Sequence, residues 1–346
     1  MSQDKTKNIL EFISETPSLS SKEIHIGLNS DIAYATVKRI LTKLISDNLI
    51  IAEGKGRGTK YSIAIAYQLF YPTDINHYFE KEIDDRKIKQ QFNLLLMKND
   101  LKNVSLFTTN EIQHLTHLQN KFKENSSKLS ELDYKKELER LAIDLSWKSS
   151  QIEGNTYSLL ETERLLKEKI TAEGKGKDDA IMLLNHKEAL DFIVENPSYV
   201  NPLTIGKIEA IHSILIKELG VDRNIRKSRV GISGTNYTPL DNEFQIKEAL
   251  EDLCVLVNNR ENVFEKALLL LVLISYIQPF GDGNKRTARI ISNALLINNN
   301  YCPISFRTVD SIEYKKAMLL FYEQNNITAF KDVFINQFEF AVNTYF

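Results

Sequence analysis

Few features of this chain settle its class at a glance. Its two cysteines, Cys254 and Cys302, are too few and too isolated for a disulfide framework or a zinc site. No hydrophobic run is long. The longest, Ala267 to Ile277, has eleven residues, whereas a helix that spans a bilayer needs about 20. Neither sign of charge dominates. The 44 Lys and Arg against 46 Asp and Glu leave a net charge of −2, which gives no global field toward nucleic acid or membrane. The first residues, Met1-Ser2-Gln3-Asp4-Lys5, lack the apolar core of a secretory signal. The expectation is a cytoplasmic protein that does not enter the membrane. What is present, 26% charged and 42% hydrophobic residues over 346 positions, fits a globular chain with room for two or three domains.

The chain is organised around Gln278-Pro279-Phe280-Gly281-Asp282-Gly283-Asn284-Lys285-Arg286-Thr287-Ala288-Arg289. Apolar runs on both sides, Ala267–Ile277 and Ile290–Ile297, read as buried helices, so the polar residues between them are a turn and a helix start. Gly281 and Gly283 allow positive φ and close approach of backbone to a ligand. Successive backbone N–H groups and the positive end of the second helix make an anion site. Arg286 and Arg289, three residues apart, can both fork onto phosphate oxygens. Asp282 is suited to a Mg²⁺ that the phosphates share. An ordinary glycine-rich connection with solvated charges is the alternative. A carboxylate, an Asn and two phased arginines within eight residues favour the polyphosphate site. Ala52-Glu53-Gly54-Lys55-Gly56 and its echo Ala172-Glu173-Gly174-Lys175-Gly176 have unlike flanks, and neither has the spacing of a P-loop.

These residues resemble the signature of the Fic family, His-Pro-Phe-x-(Asp/Glu)-Gly-Asn-x-Arg-x-x-Arg, at every fixed position except the first, where Gln278 stands for His. The resemblance implies a mainly helical domain with a small β-hairpin flap, and transfer of AMP from ATP, with Mg²⁺, to a hydroxyl of a protein target. It implies Gln278, Asn284 and Arg286 as the catalytic positions and Phe280, Gly281, Gly283, Asn284, Lys285, Arg286 and Arg289 as nucleotide contacts, with Asp282 on the metal. The family's His is the general base. A primary amide accepts no proton near neutral pH, and loss of a positioned base costs on the order of 10²- to 10⁴-fold.

A second resemblance lies upstream. Leu141–Lys148 reads as an amphipathic helix carrying the only Trp, Trp147, and Ser149-Ser150-Gln151-Ile152-Glu153-Gly154 ends it with Gly154 as a natural cap. Ser149, Glu153 and Gly154 resemble the family's inhibitory motif, in which the Glu pairs with the second motif arginine, here Arg289, and keeps the ATP γ-phosphate from docking. Arg226–Ile232 and Ser233–Pro239 read as a hairpin. It resembles the family's flap, with Val230, Ile232, Gly234 and Tyr237 receiving a target segment by strand addition; a surface hairpin without function is the other reading.

The N-terminal residues have their own pattern. Ile9, Leu10 and Ile13 give a short amphipathic helix, Ser20-Ser21-Lys22-Glu23 can cap a second, and Ser30 or Asp31 a third. In the third, Val37, Ile40, Leu41, Leu44 and Ile45 share a face. Two strands, Leu49–Ala52 and Tyr61–Ile63, flank a basic glycine-rich tip, and the whole is similar to a winged helix-turn-helix. Between Tyr34 and Tyr61 six Lys or Arg oppose two Asp or Glu. Thr36, Lys38, Arg39, Lys43, Lys55, Arg57 and Lys60 are the candidate contacts to double-stranded DNA; a module for protein interaction or dimerisation remains open.

The expected layout is a winged helix-turn-helix over 1–68, a helical connector over 69–140 and a Fic domain over 141–346. His114 and His117 read as an exposed helix face, and His186 and His212 as satisfied structural histidines. Three functions stay open: an AMP transferase restrained by Glu153 and weakened by Gln278, a hydrolase that removes AMP from a modified protein, and a catalytically silent, nucleotide-sensing DNA-binding regulator. A homodimer is compatible with the sequence and is not demanded by it.

Overall fold

The computed structural model describes residues 2–16, 18–28, 32–47, 49–64 and 67–346. The Ser30 and Asp31 caps and the Arg57 side chain lie outside the described part. The chain begins with α1 (Ser2–Glu15), α2 (Ser21–Gly27) and α3 (Tyr34–Ser46), followed by the antiparallel strands β1 (Ile50–Glu53) and β2 (Lys60–Ile63), paired from Ile50 with Ile63 to Glu53 with Lys60. Ser20 caps α2 with a reciprocal capping box to Glu23. Ala33 occupies the N-cap of α3 without a side-chain bond. Ile9, Leu10, Ile13, Ile24, Val37, Ile40, Leu41 and Leu44 close the core of this unit. Ile45, expected on the same face, is 39% exposed. It follows Leu44 by one residue, about 100° around the helix, and so turns away from the buried stripe.

The helical connector expected over 69–140 is only partly helical. After α4 (Tyr67–Phe70) and α5 (Ile75–Phe79) the chain runs as an irregular strap to Phe107, with a 3-10 turn at Ile83–Asp85 and a π turn at Leu96–Asp100. Its polar backbone is satisfied by the rest of the molecule in place of a helical ladder. Lys89 N–H donates to Glu323 O, Ile327 N–H donates to Leu69 O, and Asn93 N–H donates to Tyr276 Oη. Charge alternation over Glu80–Lys87 suits a helix and does not report these long-range bonds.

Regular helices resume at α6 (Thr109–Ser126) and α7 (Glu131–Ile152), then α8 (Leu159–Glu168), α9 (Lys177–Glu195), α10 (Ile205–Leu215), α11 (Glu243–Asn259), α12 (Val263–Ile277), α13 (Asn284–Asn298), α14 (Ser311–Gln324) and α15 (Thr328–Tyr345). α12 is apolar on all sides and is therefore the central post. Every residue from Ala267 to Ile277 is buried, and α11, α13, α14 and α15 all pack on this helix. α13 runs back along α12, so their shared turn is held at one end of the core. Among the described residues no helix is long and apolar enough to cross a membrane.

The flap expected over 226–239 forms no β-ladder; a turn at 233–234 and one isolated bridge, Gln91 to Thr238, are what is present. Side chains tie this loop to the rest of the molecule in place of cross-strand pairs. The Arg226 guanidinium donates to the carbonyls of Gln278, Ser228 and Leu240, and Tyr237 Oη donates to Tyr276 O.

Truncation inside the central post, Leu271→Ala, removes packing on all sides of a fully buried residue and is expected to lower stability by about 2–5 kcal/mol. Leu160→Ala, at a site 77% exposed, is expected to stay within about 0.5 kcal/mol. Urea unfolding of the two variants measures the contrast.

Candidate active site

The site is the turn between α12 and α13. Gln278 closes α12 with φ 51°, a left-handed conformation, and its N–H donates to Ile274 O. Gly283 starts α13 at φ 79°, and a Cβ there would lie 3.2 Å from Ile216 Cγ2, so both space and conformation demand glycine. Gly281 has open space around its Cβ and no left-handed φ; its backbone could tolerate a side chain. Asn284 staples the turn. Its Oδ1 accepts from Phe280 N–H at 2.9 Å, and its Nδ2 donates to Phe280 O at 2.8 Å and to Gln278 Oε1 at 3.0 Å. Gln278 Nε2 in turn donates to Ser275 O at 2.6 Å.

Phe280, expected as a nucleotide contact, is instead a core anchor. It is fully buried and stacks on His212 at 3.6 Å and 4° between planes. The α10 helix supplies His212, whose Nε2 donates to Asp282 O at 2.9 Å, and burial pushes this histidine below its ordinary value. His212 is thus a satisfied structural residue. His186 on α9 is not: it is buried, and neither ring nitrogen has a protein partner. Burial, with the nearby Arg289 and Arg286 charges, holds it neutral.

Both motif arginines are buried, at 1% exposure for Arg286 and 0% for Arg289. Arg286 Nη2 lies 2.9 Å from Asp282 Oδ2. Arg289 donates from Nε to Ser149 Oγ at 2.7 Å, and from Nη2 to Ser149 O at 3.0 Å and Glu153 Oε1 at 2.8 Å. The other Glu153 oxygen accepts from Lys285 Nζ at 3.1 Å. α7 ends one residue before Glu153, and Gly154 at φ 101° turns the chain away, which leaves the carboxylate facing α13. Burial pushes Glu153 up, yet the Arg289 and Lys285 charges outweigh it and hold the carboxyl down at about 2.

A cleft of about 350 Å³ opens over this turn. Gln278 and Gly281–Lys285 form its floor, Glu153 and Ile152 one side, and Val230–Ser233 another. α14 completes it with Tyr314, Met318 and Tyr322. The volume suits a small ligand. Two buried polar atoms near it, Arg286 Nε and Ser150 Oγ, have no protein partner, while Tyr314 pairs with Arg289, and Tyr322 with Gln278 and Ser275. Buried polar atoms are almost always paired, so these two mark a place where a polar ligand or water belongs. The chain's own groups fit a Mg²⁺-bound polyphosphate in kind: Asp282, 65% exposed at its side chain, beside the N–H groups that open α13.

The structure brings together Ser149, Glu153, Gln278, Gly281, Asp282, Gly283, Asn284, Lys285, Arg286 and Arg289, with Val230 and Ile232 at the rim. Gly234 and Tyr237 are outside the cleft lining, and Tyr237 is a core residue at 2% exposure. Of the candidate DNA contacts, Lys38, Arg39, Lys43 and Lys55 are exposed, Thr36 on the same helix is half-buried, and Lys60 is tied to Glu23 at 2.7 Å. Sequence reasoning missed Lys285 as a partner of Glu153, and missed Tyr314 and Tyr322. The helical spacing of 314, 318 and 322 placed them on one face; nothing local said what that face would meet.

The comparisons with known proteins agree with this geometry. Residues 202–296 match the model of the Fic/DOC family. The protein adenylyltransferase Fic of Nematostella vectensis is 31% identical over 177 residues, 48% of this chain and 40% of that protein. That of Aedes aegypti is 28% identical over 169 residues, 44% and 32% of the two chains. The chain thus spans about a third of the length of the curated relatives it matches first. A Fic-domain-containing signalling protein from Bacteroides thetaiotaomicron superposes with a TM-score of 0.58 at 20% identity, over 67% of this chain and 95% of that one. A fragment of Fic-1 of Caenorhabditis elegans gives 0.57 at 20% identity, over 68% and 72%. The fold is that of Fic-domain structures.

The Glu153 carboxyl gives a pH signature. A carboxyl depressed from 4.5 to about 2 stabilises the fold fully above its ordinary value and loses that contribution as pH falls toward 2. Urea unfolding of the parent and of Glu153→Gln is therefore expected to differ by a constant amount from about pH 5 to 8. The difference shrinks below about pH 4.5; a difference that already shrinks between about pH 7 and 5 would show that the carboxyl is not depressed.

Proposed function

We propose that this protein is an AMP transferase acting on a protein hydroxyl, with ATP as donor, held back by Glu153 and slowed by Gln278. The observation that carries the reading is the pairing of Glu153, which lines the cleft, with the buried Arg289 behind it. A carboxylate in the fork of a buried guanidinium occupies the place a phosphate would take. When Glu153 leaves, Arg289, Arg286 and Lys285 become available to the β- and γ-phosphates, and the N–H groups opening α13 to the α-phosphate. A Mg²⁺ at Asp282 would neutralise charge shared between phosphates. A target chain would lie along Val230–Ile232, with its hydroxyl over Gln278.

In the transfer step the target oxygen forms a bond to the α-phosphorus and the bond to pyrophosphate breaks. The hydroxyl proton cannot go to Gln278, whose primary amide accepts no proton near neutral pH; it passes to water or a phosphate oxygen. Positioning and electrostatics carry much of phosphoryl chemistry, so the missing base slows the step without abolishing it.

A second reading is favoured by one feature of the same residue. The Gln278 amide is tied at both ends, to Ser275 O and to Asn284 Nδ2, as in a residue kept for shape. On that reading the domain binds nucleotide without turning it over, and the exposed Lys38, Arg39, Lys43 and Lys55 read DNA in response. Removal of AMP from a modified target, with Glu153 positioning a water, ranks third, because it too lacks a proton donor at position 278.

The deciding measurement is incorporation of α-labelled ATP, with Mg²⁺, into protein from cell lysate. Glu153→Gly is expected to label weakly, and Glu153→Gly with Gln278→His roughly 10²- to 10⁴-fold faster. If the double variant transfers nothing from ATP, UTP, GTP or CTP, the transferase reading fails. Bound Mg-ATP without label, together with salt-dependent DNA binding that ATP alters, would favour the sensor.

A further inference from the structure

Residues 230–233 of the loop over 229–238 line the cleft, yet no ladder holds the two arms of this loop together. The strap holds it from outside. Arg86 Nη2 donates to Gly234 O at 2.7 Å, Asn236 Nδ2 donates to Asp84 Oδ1 at 2.9 Å, and Thr238 N–H donates to Gln90 O at 2.8 Å. The same Arg86 guanidinium lies 3.1 Å from Glu323 on α14 and 5.0 Å over the ring of Phe79. The side chains of Arg86 and Glu323 are 3% and 0% exposed. Tyr78 Oη donates to the second Glu323 oxygen at 2.6 Å.

A buried ion pair gives little net stability, and an apolar pair of similar volume usually serves as well. The fork of Arg86 does something an apolar side chain could not. It joins α14, which forms one wall of the cleft with Tyr314, Met318 and Tyr322, to the tip of the loop that forms another. It grips the tip at Gly234, whose φ of 88° restricts the position to glycine.

We propose that Arg86 is the positioning residue of this loop: it fixes the height of the loop over the cleft and so the place of its open edge at 230–232. The edge at Thr238 is closed by Gln90 and Gln91. Among the described residues the backbone groups of Val230, Gly231 and Ile232 have no partner, and they border the cleft. An extended polypeptide can therefore add along 230–232, where the open backbone borders the cleft. The edge assignment rests on the transferase reading; the clamp itself does not.

The test uses the full chain and two variants. Arg86→Lys keeps a charge beside Glu323 and loses the fork. Arg86→Met with Glu323→Leu removes both charges at similar volume. In each, the Thr238 amide is expected to exchange with deuterium roughly five- to tenfold faster, while α12 and α13 keep their protection. Mg-ATP affinity, measured in the Glu153→Gly background, is expected to stay within about twofold. Unchanged Thr238 exchange in either folded variant overturns the proposal, and so does a loss of protection shared equally by α12 and α13. Failure of Glu153→Gly to bind Mg-ATP would remove the nucleotide reading, and Thr238 exchange would still decide the clamp.

Discussion

Much of the domain follows from one buried charge. Arg289 has no exposed surface, and a guanidinium taken out of water must be met by hydrogen-bond acceptors and an opposing charge. The acceptors come from the end of α7, as the side chain and carbonyl of Ser149, and the charge comes from Glu153. α14 adds the ring of Tyr314 at 5.3 Å. α7 therefore has to stop where it does, and α13 has to start within reach of it. Packing of the helices and closure of the site are the same contact. A ligand that takes Arg289 from Glu153 must supply an equal counter-charge, which restricts the occupant to strong anions.

The neutralisation is incomplete. Glu153 lies between Arg289 and Lys285, and Asp282 faces Arg286, so two carboxylates answer three cations and the positive end of α13. With Lys315 on the α14 wall as well, positive charge is left over in a cleft with low-dielectric walls, where its field is focused. An approaching polyphosphate is attracted before any carboxylate has moved. On the proposed reading, inhibition by Glu153 is competition between two anions for one fork, and Lys285 shares with Arg289 in holding the carboxylate. Lys285 occupies a variable position of the family signature, so the motif by itself does not report this second hold on the latch.

How much of this was legible depended on how far apart in the chain the partners lie. The α12–turn–α13 unit is one segment, with apolar runs around a polar turn, so its periodicity and its glycines were enough to place it. Ser149 and Glu153 became legible through a second motif, and their distances to Arg289 then followed from the fold. The strap could not be read, because Arg86, Lys89 and Asn93 owe their conformation to Glu323 and Tyr276, more than 180 residues away. The flap failed for a related reason. Its alternation of residues suits a hairpin, but the chain gave its carbonyls to Arg226 and Arg86, and no local pattern records that competition. Phe280 shows a third kind of limit: an aromatic inside a nucleotide motif looks like a ligand contact until His212 is found stacked on it.

Gln278 connects these lines of argument. Its backbone, at φ 51°, must turn the chain out of α12 whatever its side chain does, and such a conformation costs a non-glycine residue on the order of 1–3 kcal/mol. Hydrogen bonds of the side chain to Ser275 O and Asn284 Nδ2 offset part of that cost and fix Asn284, which in turn fixes Phe280 and the start of α13. An amide serves this scaffold well, since it offers a donor and an acceptor at once and keeps both at any pH. An imidazole in the same place would offer one of each only while neutral, and would add a proton acceptor over the cleft. The substitution therefore separates two properties that one residue can combine. The ties that hold the turn are made independent of pH, and on the proposed reading proton transfer is left to the ligands.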